Sequence, residues 1–187
     1  MKMRNRKTVI AVFLVLACML VGVGYAATNG TLDLTITANS AAQDFKVLFT
    51  EVKATEINDS ATDGAALKVR SEGTYLVTGA DANTVTMSTT QATLVVEGMA
   101  LTTDYATVEY TIKNYNNYKV ELTITDPTTT SFNVTGGFVD GEQLVKTIVV
   151  PANAEVSYQV TVGIKANAGH TSVQEKIVIG FTGKAVD

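Results

Sequence analysis

The side chains of this chain that could do chemistry are few and lie far apart. Its 187 residues include one histidine, His170, and one cysteine, Cys18. A zinc site needs several His, Cys or acidic ligands, and a nucleophilic triad needs a histidine beside its Ser or Cys. The chain has no HExxH, GxSxG, GxGxxG or GxxxxGK[ST] motif, the patterns that mark metalloprotease, hydrolase and nucleotide sites. We therefore interpret His170 as a solvated loop side chain and predict no catalytic residue, no cofactor and no enzyme activity.

The best candidate for a metal site is the loop at residues 58–64. The spacing of Asp59 and Asp63, with a glycine after the second, resembles that of a calcium-binding loop. However, Ala61 occupies a ligand position, and Arg70 stands where the bidentate acid is expected. We expect a solvated loop here, and a weak calcium site at Asp59 and Asp63 is the alternative.

Four tyrosines surround one predicted turn: Tyr105, Tyr110, Tyr115 and Tyr118. Their functional interpretation is an aromatic contact surface for carbohydrate or a protein partner, with Tyr105 and Tyr115 as its candidate residues. The alternative is that Tyr110 and Tyr118 face the core and keep their hydroxyls at its edge, as buried tyrosines commonly do. We favour the core role for this second pair.

The chain begins with the pattern of a secretory signal peptide. Four cations lie in the first seven residues, and residues 8–23 are almost entirely apolar. Gly24 and Ala26 place small residues at the −3 and −1 positions of a signal-peptidase site, so we expect cleavage between Ala26 and Ala27. The alternative is an uncleaved membrane anchor, but this run is shorter than the ~20 apolar residues that a spanning helix needs. We divide the chain into a signal peptide, residues 1–26, and one exported domain, residues 27–187, that is secreted or held at the cell surface.

The acidic net charge of the exported domain argues against two classes of partner. Removing the signal peptide changes the net charge from −4 to −8, because it takes away four cations and no acids: Lys2, Arg4, Arg6 and Lys7. An acidic domain is a poor ligand for nucleic acid or anionic lipid. Contact with a membrane is therefore expected only through the signal peptide before cleavage. Cys18 is also removed, so no disulfide can stabilise the exported domain.

The exported part is predicted to form β-strands, because its apolar and polar residues alternate. The clearest run is 155–165, where five apolar residues share one face: Val156, Tyr158, Val160, Val162 and Ile164. Similar runs lie at 31–37, 45–49, 92–96, 107–113, 118–124 and 177–181, and less regular strands are expected at 66–70, 74–78, 85–88, 131–135 and 144–150. Residues 114–117 predict a hairpin turn, and Gly136-Gly137 predicts another turn. Many short strands with polar turns indicate an all-β, immunoglobulin-like or jelly-roll-type two-sheet sandwich with Greek-key connections.

Two segments resemble the TasA/camelysin family of exported Gram-positive matrix proteins. The first is the exit of the signal peptide, residues 22–26, with the segment Gly30-Thr31-Leu32-Asp33-Leu34 soon after it. The second is the strand-to-Asn segment at residues 106–114. The resemblance implies a fibre subunit that polymerises by donor-strand exchange after cleavage by a dedicated signal peptidase. The usual aromatic–Ser/Thr–Asp stretch after the exit is missing. The metalloprotease activity attributed to some members is not expected here, because the chain lacks a zinc ligand set.

The residues themselves permit such an exchange. Cleavage after Ala26 leaves a strand at residues 31–37 close to the new terminus, where chains are loosely held. Its alternating Leu32, Leu34 and Ile36 are the candidate donor residues, since an extended segment can add to a sheet and insert alternate side chains. Pairing of this strand within its own domain is the alternative. We expect a secreted, self-associating subunit of fibres or biofilm matrix. A cell-surface adhesin or a module that binds carbohydrate or protein is the second hypothesis.

Overall fold

The computed structural model describes residues 31–40, 46–60, 66–99, 101–127, 129, 132–165 and 175–186. The strands in these ranges are β1 (Thr31–Ser40), β2 (Val47–Asn58), β3 (Lys68–Ser71), β4 (Thr74–Leu76), β5 (Thr84–Thr89), β6 (Gln91–Glu97), β7 (Tyr105–Asn114), β8 (Lys119–Thr125), β9 (Phe132–Asp140), β10 (Gln143–Val145), β11 (Thr147–Val150), β12 (Glu155–Ile164) and β13 (Glu175–Val186). One 3₁₀ turn, Gly79–Asp81, lies between β4 and β5.

The strands form two sheets. The seven-stranded sheet has the order β11-β8-β13-β1-β6-β3-β4, and the six-stranded sheet has the order β10-β9-β12-β7-β2-β5. Neighbouring strands are antiparallel, except that β1 runs parallel to β13. The predicted all-β sandwich is confirmed.

The core between the sheets follows the alternation of the sequence. In β12, Tyr158, Val160 and Val162 are fully buried, while the residues between them are half-buried. Five aromatic rings connect strands of both sheets. The rings of Phe49 and Phe181 are 5.5 Å apart at their centroids, and the chain of contacts continues to Tyr110, Phe138 and Tyr158. Edge-to-face packing of this kind adds to the free energy gained from burial.

Strand β2 is longer than the sequence pattern predicts. The register between β2 and β7 shifts between Phe49 and Glu51, and again between Ala54 and Glu56. Each bulge inserts one residue and moves the alternation to the other face. The strand therefore continues to Asn58 with Val52 and Ala54 buried, although a simple period of two ends after Phe49.

The turn at residues 114–117 is not a hairpin, so this prediction is wrong. Strand β7 lies in the six-stranded sheet and β8 in the seven-stranded sheet, so the connection passes from one sheet to the other. Asn114 and Asn116 are 0% and 6% exposed, and their side chains bond to the main chain of three segments. Amide side chains that satisfy buried backbone groups, rather than Asn at positive φ, explain the asparagines of this turn.

Two further boundaries differ from the prediction. Gly136-Gly137 lies inside β9, because the chain passes too close to its neighbours there for a side chain. A Cβ at Gly136 would lie 2.6 Å from the Tyr158 hydroxyl, and one at Gly137 would lie 2.7 Å from Leu144 Cβ. The strand expected at 144–150 is divided at Lys146 into β10 and β11, which belong to different sheets.

Candidate functional site: the position of the N-terminal strand

Strand β1 occupies the centre of the seven-stranded sheet. Nine of its residues pair in parallel with β13, and seven pair antiparallel with β6. Leu34, for example, lies opposite Ile177 of β13 and Leu94 of β6. Among the described strands, β13 and β6 are joined only through β1. Without β1, this sheet would fall into two halves of three strands each.

Several apolar side chains that the structure describes on the strands beside β1 are buried. In β6, Ala92, Leu94 and Val96 are at most 1% exposed, and in β13 Phe181 is 1% exposed. These side chains belong to the continuous core that unites both sheets. The position of β1 is therefore a slot with apolar neighbours and with main-chain partners on both sides. The slot is the place of the candidate donor residues Leu32, Leu34 and Ile36.

The far end of the β1–β2 connection is fixed by two asparagines. Asn116 Oδ1 accepts a hydrogen bond from the Lys46 N–H at 3.0 Å, and Asn116 Nδ2 donates one to the Lys46 carbonyl at 3.2 Å. Asn114 holds Asn116 in turn, because its Oδ1 accepts from the backbone N–H and from Nδ2 of Asn116. Asn114 Nδ2 also donates to the carbonyl oxygens of Tyr118, Val150 and Pro151. We call these two residues the asparagine clamp.

Several predicted features lie outside the described residues. They are the signal peptide with its cleavage site at Ala26 and Ala27, residue Asp63 of the calcium candidate, and His170. Within residues 46–60 and 66–99, Asp59 Oδ2 accepts the Leu67 N–H at 3.0 Å. Buried Asp104 accepts the N–H groups of Ser60 and Leu101. No group of three His, Cys, Asp or Glu residues able to hold a metal ion occurs in the described part of the chain.

The two tyrosines of the candidate binding surface do not meet. Tyr105 begins β7 and Tyr115 follows its last residue, so a strand of ten residues, about 33 Å of chain, separates them. The Tyr105 hydroxyl donates to Glu56 Oε1 at 2.5 Å, and this bond raises the Tyr105 pKa. Tyr115 is 40% exposed, with the Lys46 and Lys113 ammonium groups 5.1 and 5.4 Å from its ring centre. An aromatic surface that includes both tyrosines is thus not supported.

Two other tyrosines have their hydroxyls in the core. Tyr110 and Tyr158 lie opposite each other on β7 and β12, and both are fully buried. Burial raises the pKa of each phenol well above its ordinary value. The Tyr110 hydroxyl is 3.4 Å from Ser71 Oγ, whereas the Tyr158 hydroxyl has no hydrogen-bond partner within the described structure. Tyr110 thus faces the core as predicted, but its hydroxyl is buried and does not lie at the edge of the core. Tyr118 packs against the core half-buried.

Sequence reasoning missed the asparagine clamp. The run Asn114-Tyr115-Asn116-Asn117 was a signal for a turn, but a purely local pattern does not show that two of its amides are buried against Lys46 and Pro151. The buried carboxylate of Asp104 was missed for the same reason. The only trace in the sequence is the position of each residue beside an apolar strand: Asn114 is the last residue of β7, and Asp104 stands just before its first residue.

No helix within the described ranges is long and apolar enough to cross a membrane. No model of a known protein family matches the chain, and no curated protein matches it either.

Proposed function

We propose that this chain is a secreted structural subunit of extracellular fibres or biofilm matrix, which assembles when β1 of one copy fills the slot of another. The observation that carries the proposal is the position of β1. It is the central strand of its sheet, yet it is the first strand after the expected signal peptide, and only residues 27–30 precede it after cleavage. The resemblance to exported matrix proteins points the same way.

A central strand at a chain terminus suits exchange. The main-chain bonds of β1 to β13 and β6 can form equally well within one copy or between two, so exchange keeps them all. Each such bond contributes roughly 0.5–1.5 kcal/mol. The closed and exchanged forms then differ mainly in the connection between Ser40 and Lys46 and in the entropy of association. Protein concentration can therefore shift the balance from one form to the other.

The short connection sets the geometry of assembly. Five residues, 41–45, lie between β1 and Lys46, and a segment of that length spans at most about 18 Å. The accepting copy must therefore lie directly against the donor. Because one copy can donate β1 to a second while accepting β1 from a third, the contact need not close and can produce a filament.

The proposed role is structural, and we propose no enzyme activity for the chain. This part of the proposal is supported by the sequence, in which a single histidine and the missing catalytic motifs leave no nucleophile with its base.

A disulfide lock on β1 tests the proposal without deleting a core strand. Thr35 lies opposite Thr93 of β6, so Thr35→Cys with Thr93→Cys, in a chain that also carries Cys18→Ser, can join β1 to its own sheet. We expect the oxidised secreted protein to remain monomeric by electron microscopy and light scattering. Adding a reductant should restore filaments to the level of the Cys18→Ser chain.

Filaments that form equally well from protein whose disulfide is shown by a non-reducing gel to lie within each chain would rule out exchange of β1. So would a Cys18→Ser chain that stays monomeric at every concentration. A second arm removes residues 27–40 and supplies them as a synthetic peptide. The peptide is expected to bind the truncated chain and to block its addition to filament ends.

A further inference from the structure

We infer that copies of this chain also join side by side, with the β9–β10 hairpin of one copy docked in a groove on the flank of the next. The inference does not depend on exchange of β1, because neither the hairpin nor the lining of the groove includes a residue of β1. Its basis is the fit between an apolar groove with a basic rim and an acidic hairpin that carries an exposed leucine.

The groove opens where β5 stops short of its neighbour. Strand β5 pairs with β2 only as far as Lys53, so no described strand lies beside the outer edge of β2 from Ala54 to Asn58. The opening has a volume of about 450 Å³, and its lining is mostly apolar: Ile57, Leu67, Val69, Tyr75, Leu76 and Val77. Tyr75 and Val77 are 49% and 41% exposed. We call this opening the flank groove.

Exposed apolar side chains around a concave opening are typical of a contact site. An open strand edge beside such an opening can also accept an added strand through its main chain. The flank groove combines both features, so its best occupant is a short strand with an apolar side chain at its exposed face.

The opposite edge of the same sheet supplies such a strand. Strand β10 pairs only with β9 among the described strands, and Leu144 on it is 47% exposed. Asp140 and Glu142 lie exposed in the turn before it, around Gly141 at a positive φ of 62°. We call residues 138–145 the acidic hairpin.

Charge favours this pairing. Lys68 and Arg70 stand beside Tyr75 at the rim of the flank groove, with the Lys68 ammonium 6.0 Å and the Arg70 guanidinium 5.8 Å from the centre of its ring. Arg70 also forms an ion pair with Glu97 at 3.1 Å, whereas Lys68 is exposed. Since the chain as a whole is acidic, two copies repel each other over most of their surfaces. A basic rim facing an acidic hairpin reverses this repulsion locally and selects the orientation.

The topology makes the contact open-ended. The acidic hairpin forms one edge of the six-stranded sheet. The flank groove lies at the opposite side of the sandwich, between β2 of that sheet and the β3–β4 edge of the seven-stranded sheet, so each copy can use one on either side. Such head-to-tail contacts continue without closing. The slot of β1 contributes no residue to the lining of the groove and stays available. One contact is small and weak, but its repetition in an open-ended assembly multiplies it.

Disulfide trapping between two different variants tests this contact. One chain carries Val77→Cys and the other carries Leu144→Cys, both with Cys18→Ser so that no other thiol remains. We expect the mixture to form disulfide dimers about fivefold faster than either variant alone, the advantage that about 1 kcal/mol of specific attraction gives. The matched control replaces Val77→Cys by Tyr115→Cys, since Tyr115 is 40% exposed and Val77 is 41% exposed.

A mixture that forms dimers no faster than this control would overturn the inference, and so would a Val77→Cys chain that dimerises best with itself. Charge reversal gives a second measurement. Lys68→Glu in the Val77→Cys chain is expected to slow trapping about fivefold, because it places like charges at the rim. Glu142→Lys in the partner chain should restore the rate. An unchanged rate after Lys68→Glu contradicts the docking. Since these variants leave residues 31–40 intact, their failure and the failure of β1 exchange are distinguishable.

Discussion

Asn116 holds the backbone of Lys46 from both sides, accepting its N–H at 3.0 Å and donating to its carbonyl at 3.2 Å. The carbonyl of Lys46 also accepts the Tyr115 N–H at 2.9 Å. Lys46 is the residue just before β2, so these bonds fix the point where the chain enters the six-stranded sheet after β1. Any movement of β1 relative to the rest of the fold is therefore confined to the residues before Lys46.

Removing the asparagine clamp is expected to destabilise the whole sandwich. Asn114→Ala leaves three carbonyl groups and two amide donors without their partner in a buried place, so we expect a loss on the order of 3 kcal/mol in the free energy of unfolding. Urea denaturation followed by circular dichroism measures it. Asn117→Ala is the control, because Asn117 is exposed, and it should change stability by less than about 0.5 kcal/mol. Equal stability of the two variants would contradict the role of the clamp.

The contact between Gly136 and Tyr158 predicts a rescue. Gly136→Ala places a methyl group 2.6 Å from the Tyr158 hydroxyl, and overpacking of this kind costs about 1–3 kcal/mol. Tyr158→Phe alone should be neutral or stabilising, because it removes a buried hydroxyl that has no partner among the described residues. The double variant should therefore recover part of the loss. A double-mutant cycle in thermal unfolding checks this, and strictly additive effects would argue against the contact.

Stability should fall at alkaline pH because of two tyrosines. Burial raises the pKa of Tyr110 and Tyr158 in the folded state, so the unfolded chain releases these protons first, at its ordinary phenol pKa of about 10. Below that pH the free energy of unfolding keeps its full value. Above it, each of the two tyrosines lowers the free energy of unfolding by about 1.4 kcal/mol per pH unit. Replacing both by phenylalanine should flatten the decline in chemical denaturation between pH 9 and pH 12. Parallel curves for both proteins would contradict this prediction.

Proline in the centre of β1 should disrupt the seven-stranded sheet. Thr35 pairs with β13 on one side and β6 on the other, so Thr35→Pro removes a main-chain donor from a strand that is paired on both sides. We expect the free energy of unfolding to fall by about 3 kcal/mol or more. Thr84→Pro is the matched control, because Thr84 is the first residue of the edge strand β5, where proline is tolerated. Hydrogen exchange at β6 and β13 should rise only in the first variant.

Much of this molecule could be predicted from strands that bury one face. In β12, β7 and β6 the apolar residues recur at every second position, and these rows are buried except for half-buried Val156 and Ile164 at the two ends of the β12 row. The prediction failed where backbone irregularity or a distant contact intervenes. Two bulges in β2 shift its alternation, so the second half of the strand does not follow a simple period of two. Gly136 and Gly137 lie within a strand because Tyr158 and Leu144 occupy the space where their side chains would stand.

The candidate donor strand was likewise only partly predictable from the sequence. The sequence marks Leu32, Leu34 and Ile36 as one row of a short strand near the expected new terminus, but it does not say where that strand lies. Its place depends on residues of β6, about 60 positions further along the chain, and of β13, about 140 positions further. Such pairing leaves no periodic pattern in the sequence.

The sequence by itself determined the strands, their buried faces and the acidic charge, because these depend on the order of side chains along a few residues. The tertiary structure decided which strands are neighbours, that the asparagine turn crosses between sheets, and that β1 fills the centre of one of them. The physical reason is that backbone hydrogen bonds between strands are nearly alike for every sequence. Only the packing of the whole core selects one arrangement of strands over another.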